Sequence, residues 1–174
     1  QWLEASKYFE AALTIDPQSS ELLEDYAEFL CNVGRWDEYL AVSERGYAID
    51  PLLIPLVNAH IVALTIHGRH QEALDTLKSF EERNVIHRSS AWGIQVYLAS
   101  GDTDSAINLI TNFNPDRVPE EFGSAMIRLL KNPQDIQARD ILRDLFLTDS
   151  RFSRLTVSET ALQVLAFSGD TDFV

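Results

Sequence analysis

His67 and His70 flank Gly68, and Glu72 follows close behind. Imidazole and carboxylate are groups that zinc takes, but a zinc site needs three or four ligands in fixed geometry. A glycine between two histidines marks a turn, where polar residues are ordinary, and His60 and His87 bring no evident partner. Cys31 is the only cysteine, so no internal disulfide forms, as suits a reducing compartment. A cysteine nucleophile requires an activating base or positive charge. The neighbours of Cys31 in sequence are acidic and disfavour the thiolate, so semi-buried packing is expected. Glu81 and Glu82 are adjacent and face different directions on a helix, unlike an acid/base pair. Asp102 and Asp104 flank Thr103 and could offer oxygens to a cation. A calcium loop requires more oxygens and a terminal Glu, so helix capping by Asp102 or Thr103 is the expected role. No nucleophile elbow, phosphate loop, dinucleotide fingerprint or Cys-x-x-Cys occurs. No enzymatic activity, metal or cofactor is therefore expected of this chain.

Bulk composition excludes further classes. The net charge is −13 over 174 residues, which argues against phosphate-driven nucleic-acid binding and against an anionic membrane surface. Residues 1–51 carry 11 Asp/Glu against 3 Lys/Arg, whereas residues 117–154 carry 6 against 7. An acidic first third attracts a basic partner as well as serving solubility. No run of about 18 apolar residues is present and no signal peptide is visible, so a cytoplasmic location is expected.

The elements that position these residues follow a period. Ile-Asp-Pro ends at Pro17 and Pro51, Trp2 matches Trp36, and Gly34 matches Gly68, each pair 34 residues apart. Gly-Asp-Thr-Asp occurs at 101–104 and 169–172, an offset of 68. A fixed period of this size marks stacked units, none of which buries its apolar face alone. Leu22, Leu23, Tyr26, Ala27, Phe29 and Leu30 keep helical spacing, and Gly34 suits a left-handed C′ position. Helices are expected at 36–49, 53–67, 70–83, 88–100 and 103–112. A further helix opens at Pro119-Glu120-Glu121 and runs to 131. Asn132-Pro133 is expected to open another, to 147. Thr148–Val157 reads as a loop, and Thr156 and Glu159 have capping-box spacing before a helix at 157–168. Trp2, Trp36, Phe9 and Tyr47 are assigned to the inter-helix core. The units are then 1–17 (partial), 18–51, 52–85, 86–116, 117–149 (divergent) and 150–174 (partial). The first lacks its leading helix and the last its second, the pattern of a fragment of a longer protein.

The order Ala5, Phe9, Ala12, Pro17 resembles the second helix of the tetratricopeptide repeat, and Gly68/Ala73 and Gly101/Ala106 repeat its turn and small-residue positions. Tyr39 and Gly46 replace its two alanines and Val85 its proline. The resemblance implies an all-α right-handed superhelix, an α-solenoid of antiparallel helix pairs, over residues 1–174. The stretch Tyr26-Ala-Glu-Phe-Leu, Gly34-Arg-Trp-Asp-Glu, Ile49-Asp-Pro-Leu is also similar to repeat regions that follow adenylate-cyclase or winged-helix domains in bacterial signalling proteins.

Family register places Glu21, Glu24, Glu28 and Cys31 inward in the second unit. It places Asn58, Val62 and Thr65 inward in the third, and Arg88, Ala91, Gln95 and Leu98 in the fourth. Trp92, out of register with the other tryptophans, is a further groove candidate. The resemblance implies a scaffold that binds a peptide or partner domain on this concave face. Glutamates at the inward positions favour a basic protein or peptide over a terminal carboxylate. The alternative is a regulatory or oligomerising segment of a bacterial signalling protein, with homo-oligomers formed through open repeat ends.

Overall fold

The computed structural model describes residues 2–83, 91–112, 119–148 and 155–170, the side chains of 81, 91 and 155–160 excepted. Its secondary structure is all helical, with no strand among the described residues. Among the described residues no helix is long and apolar enough to cross a membrane. The chain separates into two compact units, residues 1–86 and 87–174.

Unit one holds α1 (Trp2–Ile15), α2 (Ser20–Asn32), α3 (Trp36–Ile49), α4 (Ile54–Ile66) and α5 (His70–Glu82). Consecutive helices pack on one another, and α2 also packs on α4. Leu23, Leu30, Leu56, Ile61, Leu64 and Leu77 form a core less than 2% exposed. Burial of each such side chain contributes roughly 1.5–3 kcal/mol. The tightest approach lies at Gly46, where a Cβ would sit 2.6 Å from a methyl of Leu56. The absence of a side chain at this position lets α4 lie close against α3. Tyr39 is 4% exposed and fills space beside Cys31.

Two kinds of turn join the helices. After α2, the amide of Gly34 donates to Cys31 O and that of Arg35 to Leu30 O. These paired bonds make a Schellman motif, which requires a left-handed residue; Gly34 has φ 74°. The same pair recurs at Gly68 (to Thr65 O, with Arg69 to Leu64 O), at Gly101 and at Gly169. The other turn uses Asx-Pro. The Asp50 carboxylate accepts from the amides of Leu52 and Leu53, both at 3.1 Å, and Asp16 accepts from Gln18. Such local bonds satisfy backbone donors between helices without a long loop.

Unit two holds α6 (Ala91–Ala99), α7 (Thr103–Thr111), α8 (Glu120–Lys131), α9 (Ile136–Thr148) and α10 (Leu155–Phe167). Its core contains Ile94, Phe122, Met126, Leu129, Leu142 and Leu165, each below 2% exposed. The last helix, α10, packs on α8 and α9 and also on α6. In a stack where each hairpin meets only its neighbours, α6 and α10 would not touch. Unit two is therefore a cluster of five helices closed by α10.

Several sequence expectations change here. Asn132 ends α8 and does not open α9, because its carboxamide accepts from Gln134 N within the turn. Asp135 caps α9, accepting from Ala138 N at 3.0 Å. Thr156 lies inside α10, not ahead of it. Trp2 and Trp36 are 69% and 43% exposed and do not belong to the core. Each sits at the first residue of its helix, where no preceding turn lies beneath the ring. Phe9 does pack inward, its ring centroid 4.9 Å from Tyr26 and 5.4 Å from Phe29. Tyr47 stacks on His60 at 4.6 Å. Residues 84–90, 113–118 and 149–154 lie outside the described set, and with them Val85, His87, Arg88 and the loop expected after Thr148.

Candidate functional site

Most side chains that looked chemically capable serve the fold. His67 places Nδ1 2.8 Å from Ala63 O and Nε2 3.2 Å from Asp37 Oδ1. Glu72 faces Arg69, accepting two hydrogen bonds of 2.7 Å, and this guanidinium holds its carboxyl below the usual range. The Asp102 carboxylate accepts from Ser105 N and caps α7. Burial, and then the thiol of Cys31, push the Tyr39 hydroxyl far above the usual phenol range. No group of three His, Cys, Asp or Glu able to hold a metal occurs among the described residues.

After three of the four turn glycines, Gly34, Gly68 and Gly169, the next residue forms a brace whose sign differs between the units. In unit one it is arginine. Arg35 donates to Ser6 Oγ on α1 at 2.8 Å and pairs with Glu38 on its own helix. Arg69 does the same, reaching Glu44 on α3 at 2.5 Å and pairing with Glu72. In unit two the residue is Asp170, 5% exposed, which accepts from Arg143 Nε at 2.8 Å and ion-pairs with its Nη2. Arg139 Nε lies 3.9 Å away. Each brace ties a Schellman turn to the preceding second helix of a hairpin. Such charged pairs position the turn more than they stabilise it where they are exposed.

The glutamates of α2 form a row. Glu21 and Glu28 are exposed and Glu24 is half-buried. Spaced three and four residues apart, they lie along one helix side. Partial burial, then Asp25, Glu28 and Glu21 in that order, raise the carboxyl pKa of Glu24. Ion pairs among the described residues engage Asp37, Glu38, Glu44, Glu72, Asp135 and Asp170 but none of these three. Asn58 on the adjoining α4 is half-buried, its Oδ1 without a hydrogen-bond partner.

The other expected groove residues divide. Val62 and Thr65 are each 8% exposed, and the Thr65 hydroxyl donates to Ile61 O at 2.8 Å. Both pack inside unit one and present no surface, because α4 is apolar nearly all round and is enclosed by its neighbours. In unit two, Trp92 and Gln95 on α6 are half-buried. Ala91 opens that helix, its side chain outside the described set, as is Arg88. Sequence register missed the exposed apolar side chains of α1, Trp2, Leu3, Tyr8 and Ile15, at 69%, 77%, 70% and 87%. Of these, only Trp2 carries an expectation from sequence, as a core residue, and only the position of neighbouring helices distinguishes a covered apolar side chain from an open one. The chain matches no family model and no curated protein.

Proposed function

We propose that this chain is a tetratricopeptide-like interaction module and that α2, with the adjoining α4, forms the contact face for a basic peptide or protein segment. The observation that carries this reading is the row Glu21, Glu24 and Glu28, three carboxylates along one side of a helix that no ion pair among the described residues engages. Crowded like charges raise the cost of keeping Glu24 ionised; a lysine or arginine laid along the row relieves it. The hairpin repeat of unit one supports a superhelical arrangement there, with first helices side by side as α2 and α4 are.

The test is titration of the chain with Lys/Arg-rich peptides and Glu-rich counterparts. The basic peptides are expected to bind, and simultaneous Glu21→Lys, Glu24→Lys and Glu28→Lys to weaken them at least tenfold. Equal binding by the triple variant removes the reading.

A further inference from the structure

In a stack of helix hairpins each new first helix packs on the hairpin before it. Helix α4 does so in unit one, meeting α3 and α2. In unit two α10 holds the corresponding place, after the hairpin of α8 and α9. It packs on α9 and α8, but also on α6, one hairpin further back. It therefore lies across the two first helices, α6 and α8. That is the side on which stacked hairpins present their concave binding surface. A helix of the chain itself is thus seated where a helical ligand would lie.

One stripe of α10 makes the contact. Ala161, Val164 and Leu165 are 0% exposed and Ser168 5%, at the i, i+3, i+4, i+7 spacing of a helix laid face down. Phe167 stays outside the seam, 43% exposed. The seam is imperfectly satisfied. Among the described residues of unit two, the buried side-chain polar atoms without a hydrogen-bond partner are Gln163 Oε1, on α10, and Arg139 Nε, 3.9 Å from Asp170. Such an atom raises the energy of the closed arrangement, and water satisfies it on opening. Polar contacts hold the far end: Arg143 Nε donates to Asp170 at 2.8 Å, and Arg139 Nη2 to Ser168 O at 3.4 Å.

We infer that α10 is an internal ligand, which occupies the α6–α8 face of unit two and keeps it closed until a partner helix of the same apolar spacing displaces it. The partner's stripe carries small and branched side chains at the positions of Ala161, Val164, Leu165 and Ser168, and an apolar residue at that of Gln163. That last difference lets a partner outcompete α10, because it leaves no buried oxygen without a hydrogen bond. The inference is independent of the glutamate row of unit one and stands whether or not that row binds basic peptides.

The probe is a fluorescently labelled peptide of residues 155–170 carrying Gln163→Leu, and its capture by the full chain is followed by anisotropy. The wild type is expected to bind it weakly. Val164→Asp with Leu165→Asp in the chain, which expels its own α10, is expected to tighten capture at least tenfold. A peptide bearing those two Asp substitutions is expected not to bind. Gln163→Leu in the chain removes the orphaned oxygen from the closed seam and is expected to weaken capture at least threefold. Amide hydrogen exchange of the wild type needs no variant to fold: α10 is expected to exchange at least tenfold faster than α8, by local opening. Equal exchange of the two helices, or unfolding of all of unit two by the double Asp substitution, would show α10 to be part of the core and overturn the proposal. Equal capture by all the chains would overturn it as well. A wild-type dimer in sedimentation that the double Asp variant loses would assign the α6–α8 face to α10 of a second copy, with the same result.

Discussion

Gly46 and Gly68 illustrate two reasons for a missing side chain. At Gly46 the constraint is space: Leu56, fully buried, lies where a Cβ would go. Overpacking of this kind costs about 1–3 kcal/mol, against a helix-propensity gain of about 1 kcal/mol. Gly46→Ala is therefore expected to lower stability by roughly 1 kcal/mol in urea unfolding, and adding Leu56→Ala to recover the clash but not the lost burial. At Gly68 nothing lies within 4 Å, and the constraint is its φ of 72°. Gly68→Ala is expected to cost about 1–2 kcal/mol, with Gly68→Asn costing less than alanine. The turn role of Gly34 and Gly68 was legible from their spacing. The role of Gly46 was not, because it depends on how closely α4 approaches.

His60 carries the clearest pH dependence. It is 8% exposed, stacked on Tyr47, and its Nδ1 has no hydrogen-bond partner. Burial lowers its pKa from 6.5, helped by Arg69 and opposed by Glu44 and Glu72. With the folded value below the unfolded one, the unfolded state takes up the proton first as pH falls. The contribution of His60 is thus complete above pH 6.5 and is lost as pH drops below it. Unfolding free energies at pH 7.5 and 5.5 are expected to differ more for the wild type than for His60→Phe. An unchanged difference would show that the ring is not desolvated in the fold.

At the scale of elements, helices α3, α4, α5, α7 and α8 lie within a residue or so of their expected bounds. Periodicity, prolines and glycines mark such bounds in the chain itself. The braces were not legible, since nothing in the sequence singles out Arg35, Arg69 or Asp170. Only the folded chain shows that each reaches the helix before it. The unit-two brace is the more buried, Asp170 having a side chain 4% exposed against 35% for Arg143. Asp170→Ala leaves that guanidinium without its buried partner and is expected to cost about 2–3 kcal/mol, less than a wholly buried pair because Arg143 reaches solvent. Arg69→Ala, whose pairs are more exposed, is expected to shift the urea midpoint less. The closure of unit two by α10 was also beyond sequence reading. The Gly-Asp-Thr-Asp offset finds the turn after α10 but says nothing about α10 reaching α6.

Over the whole molecule, charge and exposed apolar surface converge on unit one. The chain carries a net −13, concentrated before residue 52, and the exposed apolar side chains of α1 lie in the same region. The glutamate row was legible because helical spacing alone aligns Glu21, Glu24 and Glu28. Its lack of arginine partners among the described residues required the structure. Binding of a basic peptide is expected to weaken as salt rises, since exposed charges are screened within about 8 Å at physiological ionic strength.

The most direct measurement is a two-dimensional amide NMR titration of the full chain with a Lys/Arg-rich peptide. The account predicts that the largest shifts cluster at Glu21, Glu24 and Glu28 and at Asn58 on α4, with unit two unmoved. Shifts centred on α6 to α10, or spread evenly over the acidic residues without a cluster, would contradict it.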